Sequence, residues 1–137
     1  MKWLLDNSVF LPLVDTAHQE NKAMTAWFLR ERASGWAVTS ETYLGIVRNL
    51  MHPAIMQGRQ LNARDSIKVA RAIINAAPKG KIIFGGDPDD AVLEKAQGHR
   101  QIMDFYLVQV ARDNNLKLVT RDNGILTAFP KIAVFPS

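Results

Sequence analysis

Three aspartates of this 137-residue chain stand where a strand ends or a helix begins, and such carboxylates can move protons or hold hard cations. Asp6 follows the apolar run Trp3-Leu4-Leu5, and Asp122 follows the apolar run Leu116–Thr120. Asp104 lies near the start of a helix expected over Gln101–Asp113. That helix is apolar around most of its circumference (Ile102, Met103, Phe105, Leu107, Val108, Val110 and Ala111), as buried helices are. A carboxylate on it needs a partner, either Arg100 four residues back or a metal ion. Glu41 is a fourth acid, in the first turn of a helix capped by Thr39 or Ser40. Each of these residues also has a plainer reading. Asp6 taken alone reads first as a helix cap. Glu41 reads as a first-turn acid worth only ~0.3–1 kcal/mol against the helix dipole.

The elements that must position these acids alternate along the chain. Trp3–Leu5 is a short buried strand, and His18–Ala33 is a helix with Met24, Trp27 and Phe28 on one stripe. Trp36-Ala37-Val38 is a second strand, and the helix after it runs to about Met51 before Pro53 stops it. His52–Asn62 is a loop; Ala63–Ala77 is an amphipathic helix with Ile67, Ala70, Ile73 and Ile74 turned inward. Ile82-Ile83-Phe84 is a third strand, broken by Gly85-Gly86, and Asp87-Pro88 opens a further helix with Asp as cap and Pro as first residue. Leu116–Thr120 and Ile132–Phe135 complete the strands, with a short helix between them. Such alternation predicts an α/β fold: a parallel sheet with helices on both faces. In that arrangement Asp6 and Asp122 lie at the C-terminal rim, where α/β sheets place their ligands, and Asp104 and Glu41 approach the same rim from helix starts. The large apolar residues around Trp27, Phe28 and Tyr43 exceed what one small core needs, so a homodimer is expected.

Composition bounds the alternatives. The length predicts a single domain over residues 1–137. With 47% hydrophobic and 22% charged residues, the chain has the make-up of a globular protein. The absence of cysteine excludes disulfides and thiolate metal sites and is compatible with a reducing cytoplasm. No apolar run approaches the ~18 residues of a membrane span, and Asp6 interrupts the only N-terminal run that resembles a leader. The net charge of +4 favours an acidic partner, nucleic acid among others. Gly85-Gly86 lacks the spacing of a phosphate loop, no serine sits in a nucleophile elbow, and His18, His52 and His99 show no ligand spacing. What remains is an acid cluster.

The chain resembles the PIN-domain ribonucleases, and among them the VapC toxins of bacterial and archaeal toxin–antitoxin pairs. The likeness is carried by Leu5-Asp6-Asn7-Ser8, by His99-Arg100-Gln101-Ile102-Met103-Asp104 and by Leu118-Val119-Thr120-Arg121-Asp122, with matching length and element order over essentially the whole chain. The resemblance implies a three-layer α/β/α fold on a five-stranded parallel sheet. It also implies Mg²⁺ or Mn²⁺ held by Asp6, Asp104 and Asp122, an RNA substrate and a cognate antitoxin. The family's second acid lies on the helix after the second strand, often closer to the arginine than Glu41 is to Arg48; Glu41 is the only acid there and takes that role. The chemistry implied is metal-assisted cleavage of a phosphodiester, because crowded carboxylates repel until a hard cation neutralises them. Asn7 and Thr120 are expected to steady the acids, and Arg48, Lys81, Arg100 and Arg121 to meet the phosphate backbone. The competing reading is a non-catalytic protein-binding module whose acids are only caps. A response-regulator-like phosphatase is a third, but it wants a lysine at the end of a late strand, and none follows Leu116–Thr120.

Overall fold

The apolar runs pair side by side in parallel. In the computed structural model, which describes residues Met1–Ser137, the strands are β1 (Trp3–Leu5), β2 (Trp36–Thr39), β3 (Lys81–Ile83), β4 (Lys117–Val119) and β5 (Ala133–Val134). They form one five-stranded sheet in the order β3-β2-β1-β4-β5, every neighbouring pair parallel. β1 and β2 are buried along their whole length, as parallel strands covered on both faces must be.

Because successive strand residues point to opposite faces, the sheet builds two cores. Trp3, Leu5, Trp36, Val38 and Val119 face one side, where they meet Phe10, Met24, Phe28, Ile46 and Ile74. These come from α1 (Asn7–Val14), α2 (Asn21–Glu31), α3 (Ser40–Leu50) and α4 (Ala63–Asn75). Leu4, Ala37, Leu118 and Ala133 face the other side, against Val92, Phe105, Val108 and Ile125. The covering helices there are α5 (Asp90–Leu93), α6 (Gln101–Asp113) and α7 (Asn123–Ala128). The expected three-layer α/β/α architecture is therefore present.

Several local expectations are corrected. The helix that the cap reading of Asp6 implies is α1, eight residues long with Pro12 inside it. α2 is shorter than His18–Ala33 and passes into a 3-10 turn over Arg32–Ser34. Phe84 is not part of β3 and is 78% exposed. The cap of the fifth helix is Asp89, whose Oδ1 accepts the Ala91 N–H at 3.0 Å, rather than Asp87. Ile67, Ile102 and Met103 are exposed, so α6 is buried only from Phe105 onward. Trp27 and Phe28 are consumed by the chain's own core: Trp27 packs edge-on against Trp3 at 5.6 Å, and Phe28 against Trp36 at 5.0 Å. Of the residues that motivate a homodimer, Trp27 and Phe28 are therefore core, and Tyr43 is partly buried.

Trp36, 1% exposed, is the largest side chain fully inside. Gly80 lies flat against it, and a Cβ there would overlap the indole ring. Gly80→Ala is expected to lower stability by roughly 1–3 kcal/mol, the range for overpacking a well-filled core. Urea denaturation of both proteins measures it; equal midpoints would show that the ring has room to move.

Candidate active site

Parallel pairing fixes where the acids fall. Leu5 lies opposite Val119, so the next residues of the two strands, Asp6 and Thr120, emerge side by side at the C-terminal rim. The Asp6 N–H donates to the Val119 carbonyl at 3.0 Å and carries the seam one residue further. Thr120 Oγ1 then donates to Asp6 Oδ2 at 2.8 Å, and Ser8 Oγ donates to the same oxygen at 2.9 Å. Both hydroxyls are themselves oriented. Thr120 Oγ1 accepts the Asp122 N–H at 3.1 Å, and Ser8 Oγ accepts the Arg121 N–H at 2.9 Å. Asp6 occupies the N-cap position of α1 with extended backbone, yet its carboxylate caps nothing. It is 5% exposed, and its Oδ1 receives no protein donor.

The other acids differ in what they do locally. Asp122 is a true cap: its Oδ1 accepts the Ile125 N–H at 3.0 Å and starts α7. Asp104 is half-buried in the first turn of α6 and has neither a hydrogen bond nor an ion-pair partner. The pairing with Arg100 is not formed; Arg100 precedes the helix at its N-cap position and is exposed. Burial, and then the charges of Asp6 and Asp122, push the Asp104 carboxyl up to about 6. The three aspartates therefore meet at one rim, close enough for the third to feel the other two.

Asp6 and Asp104 also line a cavity of about 200 Å³ together with Asn7, Glu41, Arg48 and Tyr106. Glu41 is exposed at its mouth, in the first turn of α3, and Thr39 caps that helix by accepting the Thr42 N–H at 3.1 Å. Burial, and then the Glu41 charge, hold the Tyr106 hydroxyl above its ordinary range. Asn7 does not bond to an acid; its Oδ1 is buried without a partner, and its Nδ2 would stand 3.2 Å from a Cβ at Gly45. Arg48 lines the cavity and enters no ion pair, whereas Arg121 is engaged by Glu20 at 3.3 Å. Lys81 opens β3 and lines a separate cavity. Ser8 stands in the Leu5-Asp6-Asn7-Ser8 motif, but its hydrogen bond to Asp6 is not foreseen there, and nothing in the sequence marks Tyr106.

No three acidic or histidine side chains converge into a ready-made metal cage. What the rim offers is oxygen alone: the undonated Oδ1 of Asp6, the unpartnered carboxylate of Asp104 and the oxygen of Asp122 not used in capping. That donor set suits a hard divalent cation that keeps several of its waters, and not a thiolate- or imidazole-seeking metal.

The three-layer architecture on a parallel five-stranded sheet, with acids at its C-terminal rim, is consistent with the PIN-like fold that the resemblance implies. No family model matches the chain. It is 29% identical over 128 residues to the Mycobacterium tuberculosis (strain ATCC 25618 / H37Rv) protein named Ribonuclease VapC38, covering 90% of this chain and 87% of that one. It is 28% identical over 142 aligned positions to Ribonuclease VapC29 from strain CDC 1551 / Oshkosh of the same species, covering 98% and 96%. The likeness to VapC-type PIN-domain ribonucleases is thus borne out along nearly the whole chain.

The raised Asp104 carboxyl has a definite sign in stability. Between about 4 and 6 the folded chain binds a proton that the unfolded chain has released. Without metal, the contribution of Asp104 to stability is therefore greatest below that window and falls as pH rises through it, by on the order of 1–2 kcal/mol after allowance for partial solvation. Asp104→Asn is expected to melt higher than wild type at pH 7 in chelator and to lose this fall. Thermal melts at pH 5 and 7 check it; a variant that melts lower at pH 7 would mean that Asp104 is a structural anchor.

Proposed function

We propose that the protein is a metal-dependent endoribonuclease, the toxic component of a VapBC-type pair, using Mg²⁺ or Mn²⁺ to cleave RNA in the cytoplasm. The observation that carries this reading is Asp104: a half-buried carboxylate with no partner, facing two other acids. Structural caps do not need that arrangement, and Asp6, which stands at a cap position, does not cap. The names of the VapC relatives supply the ribonuclease and toxin reading. No helix is long and apolar enough to cross a membrane.

Asp6 and Asp104 would hold the cation, with Asp122 as a further oxygen donor. When bound, the cation supplies positive charge at the scissile phosphate and lowers the pKa of an attacking water. Thr120 and Ser8 fix the Asp6 carboxylate so that Oδ1 stays available. Glu41, at the cavity mouth, orients the attacking water and accepts its proton. Arg48, in the same cavity and free of ion pairs, meets the phosphate, with Arg100 exposed nearby in sequence to Asp104 as a further backbone contact. The cognate antitoxin would silence the site by placing an arginine or lysine among the carboxylates, substituting its charge for that of the metal.

Purified protein is expected to cut single-stranded RNA with Mg²⁺ or Mn²⁺ and to stop in chelator. Asp6→Asn and Asp104→Asn should each lower the rate by at least about a hundredfold, as loss of a group stabilising transition-state charge does. Cleavage that persists in chelator, or in both variants, would place the chemistry elsewhere than on a carboxylate-held metal; no cleavage under any condition would favour the non-catalytic binding module. Thr120→Val tests the support beneath the site: metal affinity should fall about 10–100-fold, measured by Mn²⁺ titration, while the fold survives. Unchanged affinity would reduce the Thr120 hydrogen bond to a packing detail.

A further inference from the structure

The strand at the sheet edge nearest the cavity, β3, has one side unpaired, and its two ends carry different chemistry. At its start lies a cavity of about 470 Å³ lined by Arg71, Lys79 and Lys81, with no acidic residue in its wall. None of these three cations forms an ion pair. The Arg71 guanidinium lies 4.5 Å above the Tyr43 ring, which holds it in place without neutralising it. At the strand's other end Phe84 is 78% exposed. The chain then passes beneath Tyr106, a wall of the acid cavity, whose hydroxyl donates to the Gly86 carbonyl at 2.7 Å. Ile83 is level with Thr39, so Phe84 leaves the sheet at the same rim as Glu41. Lys81 and Phe84 are three residues apart, roughly 10 Å along a strand.

Resting on the ribonuclease reading, we propose that the edge of β3 carries the RNA strand away from the acid cavity. Phe84 stacks a base at the rim, and Arg71, Lys79 and Lys81 hold phosphate further along. Each contact is indifferent to sequence: any base has a face to stack, and any phosphate meets the cations. An acidic protein segment would also suit the cations. At the Phe84 end, however, it would run against Glu41, Asp6 and Asp104, whereas RNA can present a base there and keep its phosphates at the basic end.

The test is binding of fluorescent single-stranded RNA of about 20 nucleotides in chelator, where nothing is cut, across a salt series. Lys79→Gln with Lys81→Gln should weaken binding about tenfold at low salt and flatten the log–log salt slope by about 0.7 per charge removed. Phe84→Ala should weaken it about tenfold with the salt slope unchanged, and Phe84→Trp should restore it. All three substituted side chains are exposed, and unshifted melts confirm that the variants fold. If wild type binds and cleaves RNA while these variants bind like wild type, the β3 path is overturned and the ribonuclease reading stands. Loss of an acidic protein partner with RNA binding intact would overturn it in favour of a protein surface. If wild type neither binds nor cleaves RNA, the ribonuclease reading fails and this path with it.

Discussion

Two hydroxyls on one oxygen of Asp6 hold the site together. A carboxylate this deeply buried is costly unless hydrogen-bonded, and Thr120 and Ser8 supply those bonds from the far strand and from the helix that follows. The bonds exist only because Leu5 lies opposite Val119. A slip of one residue would turn every side chain of β4 to the other face, carrying Thr120 away from Asp6 and Val119 out of its core. The same register keeps Leu4 and Leu118 in one core and Leu5 and Val119 in the other. Sheet pairing, the two cores and the orientation of Asp6 are thus one constraint seen at three scales.

The chain also shows what it does with an acid whose role is structural. Asp15, 7% exposed, is clasped by both guanidinium nitrogens of Arg59 at 2.9 and 3.2 Å. That pairing holds the Asp15 carboxyl below its ordinary range. Asp104 is also partly buried, but its charged neighbours are Asp6 and Asp122, and its carboxyl moves the opposite way. An acid left unpaired beside two others is a standing cost in the metal-free protein. Functional sites accept such costs because the missing positive charge arrives with the ligand.

Much of this was legible from the residues. Short apolar runs separated by amphipathic stretches encode the parallel sheet, and Asp6 and Asp122 stand at its C-terminal rim because each follows one of those runs. Other features depend on tertiary detail. Apolar residues are not obliged to be inside, and Ile67, Ile102 and Phe84 are exposed although their type suggested burial. Helix spacing brought Arg100 near Asp104, but at the N-cap position it lies outside the regular turn. Three aspartates within four residues left the cap at Asp89 ambiguous, since a shift of two positions preserves the pattern. Tyr106 lines the acid cavity through a contact with Gly86, twenty residues away, that no local pattern encodes.

Calorimetric titration of Mn²⁺ into the metal-free protein at pH 6, in two buffers of different ionisation enthalpy, tests most directly whether the rim carboxylates bind a cation rather than only cap helices. Burial and the neighbouring acids hold part of the Asp104 carboxyl protonated there, and a cation must displace that proton to use the carboxylate. Saturable binding is predicted, with proton release that vanishes at pH 8 and in Asp104→Asn. Binding without proton release at pH 6, or no saturable binding at millimolar Mn²⁺, would contradict that reading.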